Sequence, residues 1–361
     1  MSVRDGILVG MWSGREVALL RIVAQGLAGP RRASPLEVVR HLGAAQAQDL
    51  PGALTSVALR VAGGTRAGVV AALDAGELVR SWPMRGTLHL VPGADLGWML
   101  AVTSPRRVHT GGARRRQLGI DDATIATARE IALEVVSGRA VSRSELLGAW
   151  SAAGLGSHPQ AGIHLLGQLC QEALLVLGPM QGTEQLIVLL HEHVPEHHEL
   201  DREDGLAELA RRFFTSHGPC TERDLARWGS LTLADTRVGI EGARAHLASI
   251  QVEGTEHLMA PDLPDLLAEH RAQARRLMLL PGFDELVLGY ADRSFLVPPA
   301  HAEVIVPGNN GMFRPTMVKN GVVIGTWKRP SASRPRFEPE PLGDFGPRLR
   351  AAAERAFAEL P

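Results

Sequence analysis

Lysine, cysteine and long apolar runs are what this chain has least of. Its 361 residues include two cysteines, Cys170 and Cys220. Two cysteines in a chain of that length do not make a disulfide framework, and they fit a reducing cytoplasm. No apolar run approaches the roughly 18 residues a bilayer crossing needs, which argues against a membrane span. The opening MSVRDGILVGMWSGREV has an acid at Asp5 and no apolar core followed by a cleavage site, so no signal peptide is expected. Lys319 and Lys328 are the two lysines, and the other basic residues are arginines. Schiff-base chemistry is left with few candidate amines. GxGxxG, P-loop and GxSxG motifs are missing, which removes the common nucleotide-binding and serine-hydrolase readings. A net charge of −1 announces no overall nucleic-acid affinity. What is present is ordinary for a globular chain of two or more domains: 45% hydrophobic and 21% charged residues.

A repeat organises most of the chain. Ser34-Pro-Leu-Glu37-Val-Val-Arg-His-Leu42, Ser142-Arg-Ser-Glu145-Leu-Leu-Gly-Ala-Trp150 and Thr221-Glu-Arg-Asp224-Leu-Ala-Arg-Trp228 share one pattern. Each begins with a hydroxyl and has an acid three residues later, which satisfies free N–H groups at a helix start. Pro35 takes the first helical position, where its missing N–H costs nothing. An amphipathic stretch precedes each copy (15–27, 123–137, 205–217). A helical stretch follows (66–75, 159–173, 234–247), and then two apolar strands around a turn (78–82 with 86–91, 174–178 with 186–190, 249–253 with 256–260). Helix, capped helix, helix and hairpin is the order of a winged helix-turn-helix. The uneven spacing indicates duplication with insertions rather than a solenoid.

Beyond about residue 275 the texture becomes short β-rich runs broken by Gly, Pro and Asn, with Asn320-Gly321 as a hairpin signal. This predicts a small antiparallel sheet or barrel closed by a helix at about 346–359. Segment 192–208, with seven acids and one arginine, reads as a solvated linker. The expected fold class is α+β, divided as 1–120, 121–200, 201–270 and 271–361. Two stretches lack acids. Leu96 to Ile120 carries Arg106, Arg107, Arg114, Arg115 and Arg116; Val304 to Phe337 carries Arg314, Lys319, Lys328, Arg329, Arg334 and Arg336. Such stretches suit phosphate contacts.

The remaining candidates are local. Gln46 and Gln48 sit between a capped helix and the Asp49-Leu-Pro-Gly turn; on an extended backbone, residues two apart share a side and their amides converge. The same alternation puts Arg85, Thr87 and His89 on one face of the first hairpin. Asn309, Asn310, Arg314 and the Lys319 hairpin are candidates for probing a DNA groove. Asp284 and Glu285 are adjacent, so a turn or structural role fits them better than paired-carboxylate hydrolysis. HEHVPEHH at 191–198 is not HExxH, and no metal site is expected there.

QAQD at 46–49, SWPMRGTLHLVP at 81–92 and LLPGFDELVLGYADR at 279–293, in that order, resemble the winged-helix DNA-binding family, and within it the AlkZ-like DNA glycosylases. That group includes self-resistance enzymes of antibiotic-producing actinomycetes; a sister branch has Asp in place of the second Gln. The resemblance implies three tandem winged helices and a C-terminal β-barrel forming a C-shape around DNA. It implies a monofunctional enzyme with Gln46 and Gln48 catalytic, no cofactor, and double-stranded DNA carrying N7-alkylguanine as substrate. DNA contacts would fall to Arg85, His89, Arg106, Arg107, Arg114, Arg115, Arg116, Asn309, Asn310, Arg314, Lys319, Lys328 and Arg329. The alternative is a non-catalytic winged-helix DNA binder or transcriptional regulator. Regulators dimerise on paired half-sites, whereas three copies in one chain suit a monomer.

Overall fold

The computed structural model describes residues 3–4, 7–8, 12–155, 158–330 and 336–361, with backbone alone at 3–4, 7–8 and 106–111. The side chains of Arg106 and Arg107, and all of Arg334, lie outside the described residues. Strands β1 (Val3–Arg4) and β2 (Ile7–Leu8) precede helix α1 (Gly14–Ala24). Next come α2 (Pro35–Leu42), strand β3 (Ala45–Gln46), α3 (Leu50–Ala58), α4 (Arg66–Asp74) and the hairpin β4 (Leu78–Met84)–β5 (Thr87–Pro92). Helix α5 (Leu96–Gln117) leads to α6 (Asp122–Val136), α7 (Arg143–Ala152), α8 (Ala161–Gln171) and the hairpin β6 (Leu175–Gln181)–β7 (Glu184–Leu189). One turn, α9 (Leu190–His193), precedes α10 (Arg202–His217), α11 (Glu222–Gly229), α12 (Leu233–Ala243) and the hairpin β8 (Ala248–Val252)–β9 (Thr255–Met259). The C-terminal part holds α13 (Leu263–Ala274), β10 (Met278–Leu280), α14 (Glu285–Leu288), α15 (Ala302–Ile305), β11 (Thr316–Lys319), β12 (Val322–Lys328), β13 (Glu338–Pro341) and α16 (Pro347–Ala358).

Helix, capped helix, helix and hairpin therefore recur three times. The three hydroxyls cap their helices: Ser34 Oγ accepts from the Glu37 N–H at 3.2 Å, Ser142 from Glu145 at 3.0 Å and Thr221 from Asp224 at 3.2 Å. The acids differ. Asp224 returns the bond by accepting the Thr221 N–H at 2.8 Å. Glu37 takes the Ala33 N–H instead, and Glu145 pairs with Arg139. Three of the longer helices lack a clear signal in the sequence: α3, α13 and the 22-residue α5, which runs through Pro105. No helix among the described residues is long and apolar enough to cross a membrane.

The strands form three sheets with the orders β3-β5-β4-β6-β7, β1-β2-β8-β9 and β10-β11-β12-β13. The first joins two repeats, because Arg80 of β4 pairs with Leu177 of β6. The third corrects an expectation: it is an open antiparallel sheet, with β10 and β13 at its two edges, and no barrel closes among the described residues. Burial also ignores sequence order. Val17, Leu20 and Ile22 of α1 pack in one core with Leu267 of α13, Leu286 of α14, Val318 and Val323. The core of the first repeat proper, with Val39, Leu54, Leu73 and Leu90, is separate from it.

Candidate active site

The two glutamines lie where a short strand ends. Gly43, at φ 80°, stops α2, and β3 then pairs antiparallel with β5, setting Gln46 opposite His89. The Ala47 N–H still donates to Leu88 O at 2.7 Å, after which the chain bends and α3 begins with Pro51 in its first turn. The strand, and its alternation, end at Gln46, and the two side chains differ in exposure. Gln46 is buried, and its Oε1 has no partner. Gln48 is exposed, its Oε1 taking a long 3.4 Å bond from the Leu88 N–H.

Two arginines bond the motif and the helix after it. Arg80 of β4, half-buried, donates to Ala47 O at 2.9 Å and to Gln185 Oε1 at 2.9 Å. Burial, then the charge of Arg143, lowers its pKa to about 10 against the pull of Asp49. Arg329 donates to Thr55 Oγ1 on α3 at 2.9 Å; burial and Arg66 lower its pKa, again opposed by Asp49. Thus Arg80 of β4 bonds the motif itself, and Arg329, just after β12, bonds the helix that follows it. Arg329 is expected from the sequence and Arg80 is not. Arg80 does carry a signal: a charge inside an apolar hairpin strand must find partners.

On its buried side the motif meets the PGFDE segment. Glu285 Oε1 accepts the Gln46 backbone N–H at 2.9 Å, and Oε2 accepts Trp228 Nε1 at 3.0 Å. Burial would raise this carboxyl; the His217 contact at 3.5 Å and the Arg85 charge outweigh it and hold the pKa at about 2. Asp284 makes a two-pronged pair with Arg60, both bonds 2.9 Å, and accepts from Ser56 Oγ at 2.6 Å. Both carboxylates are buried parts of the framework.

Two predicted DNA contacts are corrected here. His89 is fully buried, its Nδ1 bonded to Thr87 O and its Nε2 accepting from Arg85 at 2.8 Å. Burial presses its pKa to about 3, so it is a neutral structural histidine. Arg85 turns inward as well, donating to Trp228 O at 3.0 Å. Arg85 stands in the turn between β4 and β5, at φ 54°, so strand alternation does not place it; it meets His89 by folding inward.

The other candidates are scattered. Arg114, Arg115 and Arg116 form the last turn of α5, with Arg114 bonded to Gln160 Oε1 at 2.6 Å. Asn309, Asn310, Arg314 and Lys319 are exposed, and Lys328 pairs with Glu340. The Lys319 hairpin is docked rather than free: Arg15 donates to Asn320 O at 2.6 Å and Arg275 to Asn320 Oδ1 at 3.0 Å. Among the described residues no three His, Cys, Asp or Glu side chains gather as metal ligands.

The sequence model of the family described as "DNA glycosylase AlkZ-like" matches residues 39–361. An interstrand DNA cross-link repair glycosylase of Streptomyces sahachiroi is 27% identical over 337 residues, 88% of each chain. The solved structure of the S. sahachiroi DNA glycosylase AlkZ has a TM-score of 0.78 over 97% of this chain and 98% of that one, at 23% identity. That likeness establishes a common fold.

Proposed function

The chain belongs to the AlkZ-like DNA glycosylase family, and from that premise we propose that it hydrolyses the N-glycosidic bond of N7-alkylated guanine in double-stranded DNA. A guanine alkylated at N7 already carries positive charge and leaves readily. The enzyme then needs a positioned water and a dipole facing the oxocarbenium-like sugar, not a strong acid. A glutamine oxygen can do both. Gln48 holds the water. Gln46 orients water or sugar. Arg80, Arg143 and Arg329 take the flanking phosphates, which position the duplex without reading its sequence.

The single observation that carries this reading is the exposed Gln48 amide at the end of β3, next to the Ala47 carbonyl that Arg80 holds. The wider proposal is a monomeric cytoplasmic enzyme whose three helix–hairpin units are winged helices curving around DNA. Its products are free base and an abasic site. Its substrates extend to bulky N7 adducts and crosslinks, as the name of the S. sahachiroi relative suggests, in the service of self-resistance to an alkylating antibiotic. A transcriptional regulator built on the same units would bind DNA and release no base.

The test is incubation with duplex containing 7-methylguanine, scored for freed base and alkali-labile sites. The wild type should release base from the lesion and none from unmodified DNA. Gln48→Ala should slow release by about 100-fold or more with duplex affinity retained. No release by the wild type, or full release by Gln48→Ala, would overturn the assignment.

A further inference from the structure

β3 is an edge strand two residues long, first in the order β3-β5-β4-β6-β7. The Ala47 N–H points to β5. The Gln46 N–H, one residue earlier, points the other way, where an edge strand has no neighbour to accept it. In this chain a side chain 239 residues away accepts it: Glu285, at 2.9 Å. Asp284, next to it, fixes the same segment on α3, the helix that begins immediately after the motif, through Arg60 and Ser56. The second oxygen of Glu285 holds Trp228, whose carbonyl accepts from Arg85, which donates in turn to His89, the residue opposite Gln46 in the ladder. These bonds run from the Gln46 peptide to the residue set opposite it.

We propose that Glu285 is a positioning residue for Gln46-Ala47-Gln48: by accepting the outward N–H of this short edge strand, it sets the direction in which Gln48 leaves the sheet and so its aim at the water. This rests on the catalytic reading of the glutamines given above. Glu285 touches neither water nor substrate; it acts through the backbone. An ionised acceptor makes a shorter and stronger bond than a neutral one, which suits a strand with little else to hold it. A displacement of about 1 Å at the motif is enough to slow such chemistry by roughly 100-fold.

The experiment is single-turnover release of 7-methylguanine at saturating enzyme, with duplex affinity measured separately, for Glu285→Ala and the isosteric Glu285→Gln. Glutamine keeps one acceptor oxygen for the two donors, Gln46 N–H and Trp228 Nε1–H. Both variants should bind duplex within about threefold of the wild type, with release slowed roughly 100-fold in Glu285→Ala and roughly 10-fold in Glu285→Gln. Placed on the Gln48→Ala background, Glu285→Gln should add little further loss, since the group it aims is already gone. Wild-type release by Glu285→Gln overturns the inference, and so does an equal loss on both backgrounds. If Glu285→Ala does not fold, Glu285→Gln decides alone. A Gln48→Ala enzyme working at full rate removes the catalytic reading and this inference with it; a slow Gln48→Ala enzyme beside an unimpaired Glu285→Gln removes this inference alone.

Discussion

Two glutamines one residue apart end in opposite surroundings because β3 stops between them. The same boundary explains why buried polar chemistry crowds behind the motif, and that crowding fixes how the protein responds to acid. Burial presses His89 to about 3 and, with Arg32 adding to it, His41 to about 4. Glu285 stays at about 2 because His217 and Arg85 outweigh its burial. In an unfolded chain histidine titrates near ~6.5 and glutamate near ~4.3. Below about pH 6.5 the unfolded chain takes up protons at His41 and His89 that the folded one refuses; below about 4.3 it does so at Glu285 too. The state that binds more protons gains as pH falls, so acid favours unfolding. For Glu285 the stabilisation is complete above the unfolded value and is lost on the way down to about 2. Urea midpoints should therefore fall from pH 6.5 towards 4 and fall more steeply below 4.5, each group contributing up to about 1.4 kcal/mol per pH unit. His89→Gln should flatten the upper part of that curve. A midpoint constant between pH 6.5 and 5 would contradict the neutral burial of both histidines.

Elements whose signals are local are legible in the sequence. Ser34, Ser142 and Thr221 announce helix starts because a cap is settled within four residues, and the apolar pairs around 84–87, 181–184 and 252–255 announce hairpins for the same reason. Pro51-Gly52 reads as a turn and is the first turn of α3, since proline suits both settings. Helix α5 is hidden because Pro105 interrupts it and its C-terminal half is basic, leaving no apolar stripe to follow. Barrel closure is not legible at all: it depends on whether β10 meets β13, a pairing that no local pattern encodes. The site divides in the same way. Gln46 and Gln48 are legible, whereas Arg80 reaches the Ala47 carbonyl between them only through tertiary packing. Helix α5 gives the test at this scale. If its last turn lies along the duplex, replacing Arg114, Arg115 and Arg116 with alanine should weaken binding alike for damaged and undamaged DNA. The slope of log affinity against log salt should drop by up to about 2.7, close to 0.9 for each phosphate no longer neutralised. An unchanged slope would place the duplex elsewhere.

At the scale of the whole chain, sequence order and packing order disagree. Helix α1 opens the first repeat, yet its apolar face is buried with α13 and the C-terminal sheet. β2 pairs in parallel with β8, Gln25 bonds Tyr290, Arg15 bonds Asn320, and Gln46 bonds Glu285. The ends of the chain are thus tied across the repeats, and a single sheet runs through the first two of them. Repeats that stack only on their neighbours unfold piecewise; this arrangement does not allow that. Removing residues 1–28 tests it directly. The deletion removes α1 from the core that holds Leu267, Leu286, Val318 and Val323, all almost fully buried in the intact protein. Burying an apolar side chain of that size is worth about 1.5–3 kcal/mol, and several losses together exceed much of the roughly 5–15 kcal/mol that stabilises an ordinary protein. The shortened chain should therefore lose its cooperative thermal transition, and protease should cut first in the C-terminal sheet, far in sequence from the deletion. A truncated protein that melts within a few degrees of the full chain would mean that the repeats stand independently after all.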